Sequence, residues 1–317
     1  MPGSPLSRRQ FLATLGLAAA GVACSKGSKT PPSPPTGIDG LKRGATPIDL
    51  FPSVDTQSPV NPGKSRYAFG LVTNDGGVLA GGSPKVYVAA DRISNPLGPF
   101  GARWYEFTAY EKTADHSPKG PVPGAYVAEI DVPKEGNWLA LAIAKNGNTT
   151  LAGEAAFTVT AGPVIAGLGT KAISTPSPVE TSPQKLLEIC TRVPPDPMHY
   201  ISLDQALSNR KPTVVCFATP LLCETRTCGP VVDEQLLVFE RLGKDRANFI
   251  HVEEFLPGKD HKPPPATLEN RSPAFAAWGF TSEPWVIVID RKGIIRARMG
   301  PGPAVAAEIE AALNPLL

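Results

Sequence analysis

The chain has 317 residues, with 31 Lys and Arg against 29 Asp and Glu, so its formal net charge is only +2. A balance this close to neutral gives no electrostatic footing for a nucleic-acid partner or an acidic substrate. The length suggests about two domains, and the 36 prolines punctuate the chain between segments.

The chain opens "MPGSPLSRRQFLATLGLAAAGVACSKG". Arg8 and Arg9 precede an apolar run, 11–23, that is too short for the ~20 residues of a membrane span. A basic start followed by a short apolar run reads as an export signal. "SRRQFL" resembles the twin-arginine signal at Ser7, Arg8, Arg9, Phe11 and Leu12, and departs from it at Ala13, where Lys is usual. Val22, Ala23 and Cys24 resemble a lipobox, which implies lipidation of Cys24; Gly21 departs from the usual Leu, Val or Ile. The alternative is ordinary cleavage nearby. Either way the expected location is extracytoplasmic, in the cell envelope, where disulfides persist. The lipobox reading adds a membrane anchor at Cys24.

Residues 25–45 are rich in Pro, Ser, Gly and Lys, too polar to bury much apolar surface, and read as a tether. Residues 46–162 read as strands throughout. "RYAFGLVT", "KVYVAAD", "AYVAEIDVP" and "NWLALAIAK" alternate or are rich in Val, Tyr, Phe and Trp, with Gly, Pro, Asn and Asp between them. Seven short strands at near-regular spacing predict an antiparallel β-sandwich, with Trp104 and Trp138 as core anchors. "GAYVAEIDVPKEGNWLALAIAKNG" resembles the paired strands of bacterial immunoglobulin-like modules. The segment lacks cysteine and has one loop histidine, His116, so no metal site is expected there.

A second break, "STPSPVETSPQ", lies in an expected linker over 163–197. Residues 198–317 alternate strand and helix. "PTVVCFAT" is apolar on both faces, as a central strand should be, and "VVDEQLLVFERLG" has helical spacing with a stripe at Leu236, Leu237 and Phe239 and a stop at Gly243. "NFIHVEEF", the short helix "SPAFAAWGF", a hairpin turning at 291–293 and a closing helix complete an expected α/β layer.

This order, with a cysteine pair after the first strand, resembles the thioredoxin superfamily. The resemblance is carried by "VVCFATPLLCETRTCGPVVDE", "SEPWVIVID" and "IDRKGIIRARMGP". It implies that Pro284 is the cis-proline beside the redox pair, in contact with substrate. The spacing departs from the family's Cys-x-x-Cys, since four residues separate Cys223 from Cys228. Cys216 stands where many members carry a buried acid, so that proton relay is not implied.

The spacing has its own consequence. Five residues along a helix rise ~7.5 Å, more than the ~4.4–6.8 Å between Cα atoms that a disulfide tolerates. Both cysteines therefore cannot bond within one intact helix. Either Cys223 lies in the loop before the helix or the first turn unwinds on oxidation; Gly229-Pro230 fits a helix that starts late and favours the loop. A helix N-terminus favours the thiolate, which makes Cys223 the candidate nucleophile and Cys228 its resolving partner; the reverse assignment stays open, because "CGP" at Cys228 is similar to the family's redox loop. Cys216 reads as core. The sequence leaves open whether Cys190 is free or paired with Cys216. Glu224, Asp233, Glu234, Glu253 and Glu254 are acidic residues near these segments with no assigned role.

The functional expectation is thiol–disulfide exchange with a protein partner, without cofactor, metal or nucleic acid. Three other readings remain. Extracytoplasmic copper chaperones use two cysteines and a distal His, for which His199, His251 and His261 are the candidates. A non-catalytic binding protein would keep the disulfide as a staple. A peroxiredoxin branch also spaces its cysteines this way, but Pro220 and Pro284 stand where it needs Thr and Arg.

Overall fold

The structure is a computed structural model and describes residues 37–53, 60–108, 122–161, 166–223, 226–257 and 270–317. Arg8, Arg9, Cys24, His116 and His261, and with them the signal and lipidation readings, lie outside the described residues. Pro35–Leu317 forms one compact unit.

Seven strands follow the alternating segments: β1 (Thr46–Pro52), β2 (Gly63–Val72), β3 (Lys85–Ala89), β4 (Leu97–Glu106), β5 (Gly124–Val132), β6 (Gly136–Asn146) and β7 (Thr149–Val159). They form a closed barrel in the order β1-β2-β5-β4-β3-β6-β7. Closure comes from β1 lying parallel to β7, with Thr46 opposite Leu151 and Asp49 opposite Glu154. The expected immunoglobulin-like sandwich is therefore corrected. Strand alternation states which side chains face a core, and the pattern is the same whether two sheets stack or one sheet closes on itself. The interior is filled by side chains, among them Tyr67, Phe69, Tyr126 and Ile130, all buried, with Trp138 in the same core and Trp104 4.9 Å from the Tyr126 ring.

The closing seam depends on Gly153. A Cβ at this position would stand 3.1 Å from Leu50 Cβ and 3.2 Å from Ile48 O, so any side chain pushes β1 away from β7. Gly153→Val is expected to cost about 1–3 kcal/mol, read as a lower urea midpoint at unchanged slope. A variant as stable as the parent would show that the seam yields. Ahead of the barrel, the short helix α1 (Gly37–Leu41) lies within the expected tether and buries Ile38 with Ala89, Leu141 and Ala152.

The remaining strands, β8 (Thr213–Phe217), β9 (Asn248–Val252), β10 (Trp285–Ile289) and β11 (Ile295–Met299), form a small four-stranded sheet in the order β11-β10-β8-β9. β9 is parallel to β8, β10 is antiparallel to it, and β11 is antiparallel to β10. Helices are few: α2 (Leu203–Ser208), α3 (Cys228–Arg246), α4 (Pro273–Ala277) and α5 (Ala306–Leu313), of which α2 and α4 are one to two turns long. The expectation of a sandwich followed by a thioredoxin-like α/β domain thus gives way to a mixed barrel plus a small mixed sheet. The physical reason is range. Apolar spacing and breakers mark each strand and helix locally, whereas which strands pair, and whether a sheet closes on itself, is settled between distant segments.

Both faces of the small sheet are buried, as the continuous apolar run of β8 requires. Val214 and Cys216 face a core with α3 and α5, whereas Val215 and Phe217 face Phe275, Trp278 and Phe280. The buried part of α3 is its first half, Cys228–Gln235 with Val238, while Leu236, Leu237 and Phe239 are only partly covered. That first half is enclosed because the end of β4 packs there too. Phe107 joins the same core, and Thr108 Oγ1 donates to Glu234 at 3.0 Å. The other Glu234 oxygen accepts the Ala306 N–H at the start of α5, at 2.7 Å. Arg66 of β2 pairs with Glu308 through its Nε and Nη2. Gly243, at φ 73°, breaks α3 near its end.

Candidate redox site and a buried polar cluster

After β8 the chain makes one turn of 3-10 helix over Pro220–Leu222, and Cys223 follows in extended backbone. Arg226, at φ 60°, reverses direction, and α3 begins at Cys228. The helix therefore starts two residues before Pro230, whose missing N–H is one that the first turn would leave unbonded anyway. Cys223 and Cys228 form a disulfide with their Cα atoms 5.9 Å apart. The Cys228 N–H, the first of the helix, donates to Cys223 Sγ at 3.3 Å. Cys228 is fully buried and Cys223 is half-buried. The two residues thus differ in burial, and a helix N–H points at the sulfur of the less buried one.

The Glu283–Pro284 peptide bond is cis, and Pro284 leads into β10, whose Trp285 pairs with Phe217 at the end of β8. Pro284 is therefore brought to the strand end from which the cysteine loop departs. Its carbonyl accepts the Gly302 N–H at 3.0 Å.

Glu283 is the residue that sequence reasoning missed. Its carboxylate lies within 4.8 Å of both sulfurs. Its Oε2 is buried without a hydrogen-bond partner. Burial, reinforced by the charges of Glu254 and Glu253, holds its carboxyl well above the usual carboxylate range, against a hydrogen bond with Thr219 and the charge of His251. The proton is thus held more tightly than on an ordinary carboxyl, beside the disulfide. The only signal in the sequence was its position next to Pro284.

A second cluster lies on the α3 side of the sheet. Cys190, Asp196, His199 and His251 are each at most 2% exposed, and one ligand atom from each lies within 4.8 Å of the others. Cys190 Sγ donates to Asp196 Oδ2 at 3.3 Å and lies 3.9 Å from His251 Nδ1. His251 Nδ1 is 2.8 Å from Asp196 Oδ2, and its Nε2 is 2.9 Å from the Ala218 carbonyl. Both ring nitrogens face acceptors, so His251 is an imidazolium against the Asp196 carboxylate. Burial alone would discharge it, but Asp196 and then Glu253 raise it well above the usual histidine value. Burial and the Asp196 charge push the Cys190 thiol up to about 12. Glu253 accepts from the Thr191 N–H and hydroxyl at 2.6 and 2.8 Å.

The structure therefore separates what the sequence set side by side. Cys190 and Cys216 are both free and buried, so they do not pair. His199 and His251 gather around Cys190 rather than around Cys223 and Cys228, which leaves the copper reading without its distal His among the described residues. Asp233 forms a buried ion pair with Arg192 at 2.6 Å, Glu234 ties β4 to α5, and Glu254 pairs with Arg271 at 2.9 Å. Among the described residues no helix is long and apolar enough to cross a membrane.

No family model matches the chain. No curated protein matches it either. Solved structures are similar over part of it. A chain described as DsbH oxidoreductase is 25% identical, with a TM-score of 0.26, over 35% of this chain and 80% of that one. The ZirS C-terminal domain is 10% identical, with a TM-score of 0.18, over 50% of this chain and 94% of that one. At these scores neither likeness carries a fold or an activity over, and the Cys223–Cys228 disulfide is what fits a thiol–disulfide role.

Proposed function

We propose that the protein exchanges disulfides with a protein partner through Cys223 and Cys228. The observation that carries this reading is the asymmetry of the bond. Cys223 is half-buried and receives a helix N–H, Cys228 is buried, and Glu283 lies within 4.8 Å of both sulfurs. A partner thiolate attacks Cys223 Sγ. The Cys223–Cys228 bond breaks, its electron pair goes to Cys228, and that sulfur takes the proton of Glu283. A second partner thiolate then attacks the partner's sulfur in the mixed disulfide and releases Cys223 as a thiolate, held by the Cys228 N–H. Two partner thiols become one disulfide, and this pair becomes two thiols. Run backwards, the same steps reduce a partner. Pro284, at the strand end beside the cysteine loop, is the proposed contact for the partner chain. The chain is proposed to act outside the cytoplasm, held at a membrane by lipid on Cys24. Mass analysis of the mature N-terminus tests that address.

Glu283 gives the pH dependence its sign. Its folded-state carboxyl titrates above the unfolded value, so the proton it holds stabilises the fold below the unfolded pKa. That contribution is lost as pH rises through the folded one. The same proton is the one donated to Cys228. In Glu283→Gln, attack of a small thiol on the disulfide is expected to slow about 10²-fold at neutral pH, and the parent's decline with rising pH, taken per thiolate of the attacking thiol, to flatten. Stopped-flow reduction from acid to alkaline pH reads both. Equal rates and profiles would remove Glu283 from the mechanism.

A further inference from the structure

The cluster around Cys190 takes no part in the exchange proposed above, and hydrogen bonding alone does not complete it. His199 Nε2 is buried with no hydrogen-bond partner, 3.7 Å from Asp196 Oδ2, in a residue 2% exposed. An unmatched ring nitrogen in a closed site has lost its water and gained nothing in return. It is aimed at the same carboxylate oxygen that faces Cys190 and His251. We infer that Cys190 Sγ, Asp196 Oδ2, His199 Nε2 and His251 Nδ1 form a binding site for one zinc ion.

The dimensions agree with this. Zinc bond lengths in a tetrahedron place nitrogen and oxygen ligands about 3.3 Å apart, and sulfur about 3.5 Å from either. The observed separations are 3.3 Å for sulfur to oxygen, 3.9 Å for sulfur to the His251 nitrogen and 3.7 Å for oxygen to the His199 nitrogen. The shortest edge, 2.8 Å between His251 and Asp196, is spanned by a proton and opens by about half an ångström when a cation replaces it. The surrounding groups already hold the ligands. Asp196 Oδ1 accepts the Met198 N–H at 3.0 Å, which leaves Oδ2 to face the cluster. His251 Nε2 donates to the Ala218 carbonyl, which orients Nδ1 inward. Outer partners of this kind are what zinc-binding histidines and carboxylates use.

Charge also balances. A Cys190 thiolate and the Asp196 carboxylate would neutralise the two positive charges of the ion, with both histidines bound as neutral imidazoles. One sulfur, two nitrogens and one oxygen suit zinc. Calcium and magnesium take oxygen ligands, and copper(I) favours more sulfur. The site joins the 190–199 segment to β9, and all four protein ligands would be used, so it would be structural.

The test is the zinc content of the full chain produced in zinc-supplemented medium, purified without reductant and dialysed exhaustively. About one zinc per chain is expected, unchanged in the Cys223→Ser/Cys228→Ser double variant, where the exchange reaction is lost. The cobalt(II) form is expected to show visible tetrahedral bands with one thiolate charge-transfer band. Cys190→Ser and His199→Gln are each expected to weaken binding at least about tenfold. Parent protein carrying less than about a tenth of an equivalent, with no such cobalt spectrum, would overturn the site whether or not the variants fold. So would zinc retained in both single variants, or zinc lost in the double variant.

Discussion

Cys223→Ser is expected to abolish the proposed exchange, whereas Cys228→Ser is expected to trap a disulfide-bonded partner as a stable mixed disulfide. The two variants differ because the two sulfurs do. Cys223 is half-buried at the end of a 3-10 turn, and its sulfur receives the first N–H of α3. That N–H and the helix dipole stabilise a thiolate there, and the thiolate is the attacking species. Cys228 is fully buried at the first position of α3 and is reached only through Cys223. Without Cys228 there is no disulfide for a partner thiolate to open, but in the reducing direction the Cys223 thiolate still attacks a partner disulfide, and no neighbouring thiol then resolves the product. Without Cys223 the surviving sulfur has no access, and the rate is expected to fall by about 10³-fold or more. Gel analysis of trapped adducts, with single-turnover rates for both variants, measures this. Equal loss in both, with no adduct in either, would show that the pair does not divide the roles this way.

Asp233→Ala is expected to be the most destabilising single change near the site, at about 3–5 kcal/mol. Asp233 Oδ1 accepts from Arg192 Nε at 2.6 Å, and the two side chains are 2% and 8% exposed. Arg192 also donates to the Pro194 carbonyl. Removing the carboxylate leaves a guanidinium buried without its counter-charge, between the segment that carries Cys190 and the first half of α3. Replacing both partners, as Arg192→Met with Asp233→Leu, removes the desolvation cost along with the pair. It is expected to recover most of the loss. Denaturant unfolding of the parent, the single variant and the double variant forms the cycle. A single variant within about 1 kcal/mol of the parent would show that the pair is not holding α3 to the 190–199 segment.

The difference between what could and could not be read in the sequence is one of range. Strands β8 to β11 and the hairpin between the last two are local patterns, and they stand where apolar runs and turn residues put them. Rise per residue excluded a Cys223–Cys228 bond within an intact helix, and Gly229-Pro230 favoured the placement of Cys223 before it. Barrel closure depends on β1 meeting β7, about a hundred residues away, and nothing in either strand's alternation says that it does. Gly153 was a trace of that meeting, but a lone glycine in a strand has other readings. Glu283 became a site residue only when β10 was paired with β8. The cluster around Cys190 was half visible, since "CTRVPPDPMH" holds three of its four members within ten residues. Its segment has the composition of a linker, and the fourth member, His251, arrives from a strand 61 residues beyond Cys190. A histidine within an apolar strand carries no sign of what faces it.

The central claim is that Cys223–Cys228 is a working bond rather than a staple. Intact mass after differential alkylation, on native protein equilibrated across a graded series of dithiol redox buffers, tests it directly. This one bond is expected to open at a mild potential, with Cys223 the first thiol to be alkylated and the fold retained. That potential also gives the direction of exchange. A bond that survives strongly reducing buffer until the protein unfolds would contradict it.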